Sequence, residues 1–309
     1  MATPAIERLC ECFPQARLTF VGSAVSIAAL RHHPFCRKAI VDDTKQGGSR
    51  LLNTYRLAKR LGRHDAAISF RSQIHASLLL RLTGTPRTVA RKSLHASLLL
   101  DRAVALSRDT HLVEQYQTLA NTLCGSESPA GPLRLFIEPR RYARPTLGIN
   151  PGATYGSAKR WYPEKFAAVA AHFAERFDIV VFGGPGETDI ADDIEADLRR
   201  RGIENVTNLA GQTTIETLCA AVGGLSLFVT NDSGPMHVAA AYGVPTVAVF
   251  GPTRHRETCQ WKNPKSAVVR HDLDCAPCMK RECPLKHHEC MRSIEAQEVI
   301  EAAQKLLDH

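Results

Sequence analysis

Residues 225–251 read LSLFVTNDSGPMHVAAAYGVPTVAVFG. The apolar run LSLFVTN (225–231) stops at Asp232-Ser233-Gly234. A stretch suited to a helix follows from about Ser233 to Tyr242, and PTVAVFG (245–251) is a second apolar run. Strand, helix and strand in this order make a βαβ unit, whose strands lie parallel in a sheet covered on both faces.

The alternation extends in both directions. Upstream, RPTLGIN (144–150) reads as a short buried strand, and PEKFAAVAAHFAERF (163–177) as a helix opening on Pro163. Phe166, Val169, Ala170 and Phe173 fall at i, i+3, i+4 and i+7, one apolar helix face. DIVVFGG (178–184) is a strand. ETDIADDIEADLRRRG (187–202) is a helix with acids early, three Arg late and a Gly stop, which suits the macrodipole and the terminal glycine preference. NVTNLAG (205–211) and the helix TTIETLCAAVGG (213–224) lead back to the opening run. The first half repeats the theme, with candidate strands RLTFVG (17–22), RKAIVDD (37–43), DAAISF (65–70) and PRTVA (86–90) and a last helix, HLVEQYQTLANTLCG (111–125). GSESPAGP (125–132) is polar and rich in Gly and Pro, as linkers are. The expected architecture is α/β, two doubly wound Rossmann-like domains facing across a cleft. Residues 1–130 form the first domain, 131–145 a linker and 146–309 the second.

The 309 residues suit two domains, and a composition 44% hydrophobic and 23% charged is that of a soluble globular protein. No apolar run approaches the length of a transmembrane helix, and MATPAIERLCECFP lacks the pattern of a signal peptide, so a cytoplasmic protein is expected. Charge is uneven. Residues 1–145 hold 22 Lys and Arg against 10 Asp and Glu, whereas residues 146–309 hold 17 against 21. The basic half suits an anionic partner: nucleic acid, an anionic membrane surface or a phosphorylated glycolipid. Mere solubility is the plainer explanation. Aromatic residues are only 6% and lack a base-stacking pattern, so no nucleic acid partner is expected.

In an open parallel sheet, ligands bind beyond the carboxyl ends of the strands. Asp232-Ser233-Gly234 occupies such an end and opens a helix, whose unpaired N–H groups and dipole attract phosphate. Ser233 adds a hydroxyl, Gly234 admits a close backbone approach, and His237 falls in the first helical turn. Taken alone, Asp232 or Ser233 reads more readily as an N-cap than as a ligand contact. Three other strand ends carry similar residues: Gly251-Pro252-Thr253, Gly183-Gly184 with Glu187, and Asn150-Pro151-Gly152-Ala153. The last continues as TYGSAKRW, with Thr154, Lys159 and Arg160. A diphosphate suits a helix terminus and Lys159, and a ribose suits a carboxylate, so a nucleotide-diphosphate site is expected.

PGATYGSAKRW (151–161), NLAGQTTI (208–215) and VTNDSGPMHVAAAYGVPTVAVFGPT (229–253) resemble glycosyltransferase family 9, the lipopolysaccharide heptosyltransferases. The resemblance extends from residue 1 to about 307. It implies a GT-B fold with an acceptor-binding domain first and a nucleotide-sugar domain second. It implies inverting transfer of L-glycero-D-manno-heptose from ADP-heptose to the first heptose of the lipopolysaccharide inner core. The implied partners are ADP-heptose and an anionic lipopolysaccharide core at the inner-membrane surface. Lys159 is implied as the phosphate ligand that stabilises the leaving group. Thr154, Glu187, Asp232, Ser233, Gly234, His237 and Gly251 are implied as nucleotide or substrate contacts. No cofactor is implied for the transfer step. Another nucleotide-sugar enzyme of the same architecture, and a truncated form that only binds nucleotide, are the alternatives.

The family pattern places a strand and a Gly-Asp loop ahead of a helix starting near T-P-A-I, and that Asp is the implied general base. Here T-P-A-I is Thr3-Pro4-Ala5-Ile6, so the base is expected to be missing from this chain. A central strand buries apolar side chains worth roughly 1.5–3 kcal/mol each, so its loss rivals the stability of a domain. A start placed too late in the gene, or a true truncation, is the expectation.

HDLDCAPCMKRECPLKHHECM (271–291) places Cys275, Cys278, Cys283 and Cys290 at C-x2-C-x4-C-x6-C, beside His287 and His288. Structural zinc or an iron–sulfur centre, reduced thiols and disulfides are all compatible readings. Asp272-Leu273-Asp274 is formally D-x-D but lies off the strand ends, which makes it a chance match. Cys10, Cys12, Cys36, Cys124, Cys219 and Cys259 are expected to be ordinary packing residues.

Overall fold

The structure is a computed structural model that describes residues 1–93, 96–107 and 109–308. The chain divides into two units, Met1–Phe136 and Ile137–His309.

The first unit runs α1 (Thr3–Cys12), β1 (Leu18–Gly22), α2 (Ala24–Leu30), β2 (Cys36–Val41), α3 (Arg50–Leu61), β3 (Ala66–Ser69), α4 (Ile74–Leu82), β4 (Arg87–Arg91), β5 (Arg102–Val104) and α5 (Leu112–Cys124). The four strands read from the sequence are present within a residue or two. β5 escaped the sequence reading because three residues are too few to show a period. α5 begins with a capping box: the His111 ring accepts from Val113 N–H while Glu114 accepts from His111 N–H, and Gly125 closes the helix at φ 76°.

α1 packs on α5 through Ala5, Leu9 and Ala120, with Ile68 and Phe70 against them. That contact brings Cys12 and Cys124 into a disulfide with their Cα atoms 5.9 Å apart. The expectation that both are plain packing residues is thereby corrected: two helix ends 112 residues apart in sequence meet only in the folded unit.

The strands of this unit form two parallel sheets, β1-β2 and β3-β4-β5, where the sequence suggested one. β1 and β3 share no ladder. Between them lies a cavity of about 630 Å³ walled by both strands, by Leu9 of α1 and Tyr116 of α5, and by Ile27 of α2 and Leu79 of α4. The Arg71 guanidinium, just after β3, reaches Asp42, just after β2, at 2.8 Å and ties the two sheets together. Residues 126–128 lie against α1 and α5: Arg8 donates to the Ser126 hydroxyl at 2.6 Å and Asn121 to the Ser128 carbonyl at 3.0 Å.

The second unit runs β6 (Thr146–Asn150), α6 (Pro163–Phe173), β7 (Asp178–Val181), α7 (Thr188–Arg200), β8 (Val206–Asn208), α8 (Ile215–Gly223), β9 (Leu227–Asn231), α9 (Gly234–Tyr242), β10 (Thr246–Val249), α10 (His255–Thr258), β11 (Ser266–Val269), α11 (Glu289–Arg292) and α12 (Ala296–Leu307). Residues 137–145 are fastened to it. Arg140 N–H donates to Ala220 O, and the hydroxyls of Tyr142 and Tyr242 donate to Ala221 O and Ile137 O. The change of unit therefore falls inside the segment read as a linker, and its later part is packed chain.

Among the described residues, the sheet of this unit is six parallel strands in the order β11-β10-β9-β6-β7-β8. β6, β9 and β10 are buried throughout, which explains their uninterrupted apolar character. On α6, Phe166, Val169, Ala170 and Phe173 are buried as their spacing required, and Trp161 packs edge-on against Phe166. A Cβ on Gly148 in β6 would collide with Leu225 and Phe228, so a side chain is excluded there. The chain leaves β6 to build β7 and β8 on one side, then crosses to β9 on the other. The strand order thus reverses between β6 and β9, and in open α/β sheets a ligand crevice opens at that point.

Candidate functional site

β6 ends in Asn150 and β9 ends in Asn231, side by side at the switch point. Both are buried, and both hold the adjoining loops by their side-chain amides. Asn150 Nδ2 donates to the hydroxyls of Ser233 (3.2 Å) and Thr230 (3.4 Å). Asn231 Nδ2 donates to Pro151 O at 2.6 Å, and its Oδ1 accepts from Trp161 N–H at 3.1 Å. The loop 151–161 is thus stitched to the end of β9 at two points. Buried amides must be satisfied, and these are satisfied by fixing the loop.

Asp232 follows directly. Its Oδ2 accepts from the Thr253 hydroxyl at 2.6 Å and pairs with Lys159 Nζ at 2.5 Å. Lys159 also donates to the Asp232 carbonyl at 3.1 Å. The pair is largely buried, with side-chain exposures of 12% for Lys159 and 6% for Asp232. Lys159 sits at the end of a short 3-10 turn, Ser157–Lys159, which returns the loop toward the sheet.

Ser233 occupies the N-cap position of α9, yet its hydroxyl does not cap the helix. The hydroxyl is engaged with Asn150 and Thr230 instead. The reading of Asp232-Ser233 as a side-chain cap is therefore set aside. Gly234 is exposed at the start of α9, where a helix N-terminus turns its dipole toward the switch point. His237 is half-buried in the first turn.

Glu187 precedes α7 and turns its carboxylate back on the loop after β7, where Oε2 accepts from Gly184 N–H at 2.8 Å. The same carboxylate lies on the Cα of Gly152, and Arg160 faces it at 3.8 Å. Glu187 therefore joins the group around β6. Thr154 is exposed at the start of the Lys159 loop. Gly251 follows β10, two residues before Thr253, and a side chain there would run into Met291. Asn231, Thr230 and Trp161 were missed as site residues. The signal available was an Asn closing an otherwise apolar strand.

The profile of glycosyltransferase family 9 (heptosyltransferase) matches residues 54–289. The chain belongs to this family. It is 37% identical over 315 residues to lipooligosaccharide heptosyltransferase 2 of Campylobacter jejuni, covering 99% of this chain and 94% of that one. Two solved structures share its fold. A family 9 glycosyltransferase from Veillonella parvula matches with a TM-score of 0.83 at 23% identity, covering 99% of this chain and 92% of that one. ADP-heptose lipopolysaccharide heptosyltransferase II of E. coli matches with a TM-score of 0.79 at 24% identity, covering 99% and 94%. The fold is GT-B.

In this family 9 glycosyltransferase the Cys-rich segment is docked on the Lys159 loop. Tyr155 Oη donates to Met279 O at 2.8 Å, Ala158 N–H donates to Arg281 O at 3.0 Å, and the His288 ring meets Ala158 O at 2.9 Å. Met279 N–H donates to Pro252 O at 2.9 Å, linking the segment to the loop after β10. Cys275, Cys278, Cys283 and Cys290 are free thiols. Burial, then the neighbouring Cys275, Cys278 and Cys283, push the Cys290 thiol up to about 11. Among the described residues no group of three or more His, Cys, Asp or Glu is placed to hold a metal ion. Asp272 and Asp274 lie in the stretch between β11 and this segment.

Proposed function

We propose that this glycosyltransferase moves L-glycero-D-manno-heptose from ADP-heptose to the first heptose of the lipopolysaccharide inner core, with inversion at the anomeric carbon. The observation that carries the reading is the convergence of Lys159, Asp232, Ser233 and the start of α9 on the β6/β9 switch point. The heptosyltransferase 2 relatives supply the sugar and the acceptor class.

In this reading the α9 terminus and Lys159 receive the diphosphate. They are fixed before substrate arrives, so they stabilise the charge that grows on departing ADP without reorganisation. Asp232, held by Thr253, aims the Lys159 ammonium. Glu187 takes the ribose hydroxyls, and Thr154 and His237 line the approach. The basic first unit meets the anionic core acceptor. The residues assigned here serve the donor; the base that deprotonates the acceptor hydroxyl is not among them. The proposed place of action is the cytoplasm, at the inner face of the membrane. Among the described residues no helix is long and apolar enough to cross a membrane.

The test is transfer by the purified chain from ADP-heptose, with UDP-sugars as competitors, to a core acceptor carrying one heptose. Use of a UDP-sugar in preference to ADP-heptose overturns the reading.

A further inference from the structure

The two cations of the loop after β6 each face a carboxylate. Lys159 is paired with Asp232, and Arg160 faces Glu187. Each couple is close to neutral, while a diphosphate brings more than one negative charge. The helix terminus offers only about half a unit of opposing charge. The site as drawn is therefore short of positive charge for the ligand it is proposed to take.

Arg281 lies next to it. Its guanidinium sits 5.6 Å from the centre of the Tyr155 ring, and Lys159 Nζ sits 5.0 Å from the same centre. Arg281 is exposed and makes no ion pair among the described residues. Its main chain is fixed even so. Arg281 O accepts from Ala158 N–H, and a Cβ on Gly156 would collide with that same carbonyl. The adjoining Met279 is held by Tyr155 and Pro252. A free guanidinium on an anchored backbone, sharing an aromatic ring with the diphosphate lysine, is built for a phosphate oxygen.

We propose that Arg281 is a further ligand of the donor's diphosphate, and that the Cys-rich segment serves as its mount. This rests on the nucleotide-sugar reading above. It gives the segment a part in donor binding that requires no metal and no thiol chemistry. The chemistry recognised is phosphate, so adenosine, which lacks it, should not register Arg281.

The test is calorimetric titration of ADP and of adenosine into wild type, Arg281→Ala and Arg281→Lys, with thermal unfolding of each. The expected result is that Arg281→Ala weakens ADP by roughly tenfold and leaves adenosine and the melting temperature unchanged. Arg281→Lys should fall between, keeping the charge and losing the fork. If wild type fails to bind ADP, the nucleotide reading itself fails. If wild type binds ADP and Arg281→Ala binds it equally well, or weakens adenosine by the same factor, the Arg281 assignment is overturned.

Discussion

Lys159 Nζ lies 2.5 Å from Asp232 Oδ2, a contact between the loop after β6 and the loop after β9 across the point where the sheet changes direction. Both side chains are largely buried, so each depends on the other. Removing one partner of such a pair leaves a charge with no compensation, at a cost of about 3–5 kcal/mol. Lys159→Met should therefore lower both the melting temperature and ADP affinity. Lys159→Met combined with Asp232→Asn should recover much of the stability and none of the ADP affinity. Thermal unfolding and calorimetry on the three variants check this; a double variant as unstable as the single one contradicts it.

Gly152 and Gly156 should respond to alanine in different ways. A Cβ on Gly152 meets the carboxylate of Glu187, the far end of a flexible side chain. Gly152→Ala should therefore displace Glu187, raise KM for the donor several-fold and cost about 1 kcal/mol through the lost bond to Gly184 N–H. A Cβ on Gly156 meets the Arg281 carbonyl, which is backbone and cannot swing aside. Gly156→Ala should unseat the Cys-rich segment and destabilise by about 1–3 kcal/mol. Denaturant titration and donor kinetics on both variants separate the two outcomes.

Asp42 contributes a pH dependence to the stability of the first unit. Burial alone would raise its carboxyl, but the Thr44 hydroxyl and amide and the Arg71 guanidinium outweigh it, and the net shift is downward. A carboxyl depressed in the folded state stabilises above its unfolded value, about 3.9, and that stabilisation is lost as pH falls through the folded value. Arg71→Met should cost less than about 1 kcal/mol at pH 7, because Arg71 is half exposed, and still less near pH 3. Urea titrations of both proteins at the two pH values give the comparison.

The cavity between β1 and β3 should accept a strand. Among the described residues β1 and β3 each pair on one side only, and α1, α2, α4 and α5 add apolar side chains to the same space, so an apolar strand is the occupant that suits it. A designed fusion adding five alternating Val and Ile residues and a short polar turn ahead of α1 should raise the melting temperature by several degrees. It should also slow amide exchange at Phe20, Val21, Ile68 and Ser69. Unchanged exchange at both edges would show that the added strand does not enter.

Much of the second unit could be read from one dimension because its signals are local. Pro163 starts α6, the Phe166–Phe173 spacing marks its buried face, and Gly243 at φ 68° ends α9. β11 was harder, because SAVV is short and only half-buried at the edge of the sheet. In the first unit, Cys12 and Cys124 gave no sign of bonding, since their approach depends on α1 packing along α5.

The sequence by itself determined the alternation of strands and helices, the strand ends that carry Lys159, Glu187 and Asp232, and the family. These follow from residue period and from motifs confined to a few neighbouring positions. Only the tertiary structure decided which strand ends meet. The crossing from β8 to β9 sets Asn231 beside Asn150, closes Lys159 on Asp232, frees Ser233 from capping α9 and lays Arg281 over Tyr155. It also decided that the first unit's strands form two sheets with a cavity between them. Such relations join residues tens of positions apart, and they exist only once strand order is fixed by packing.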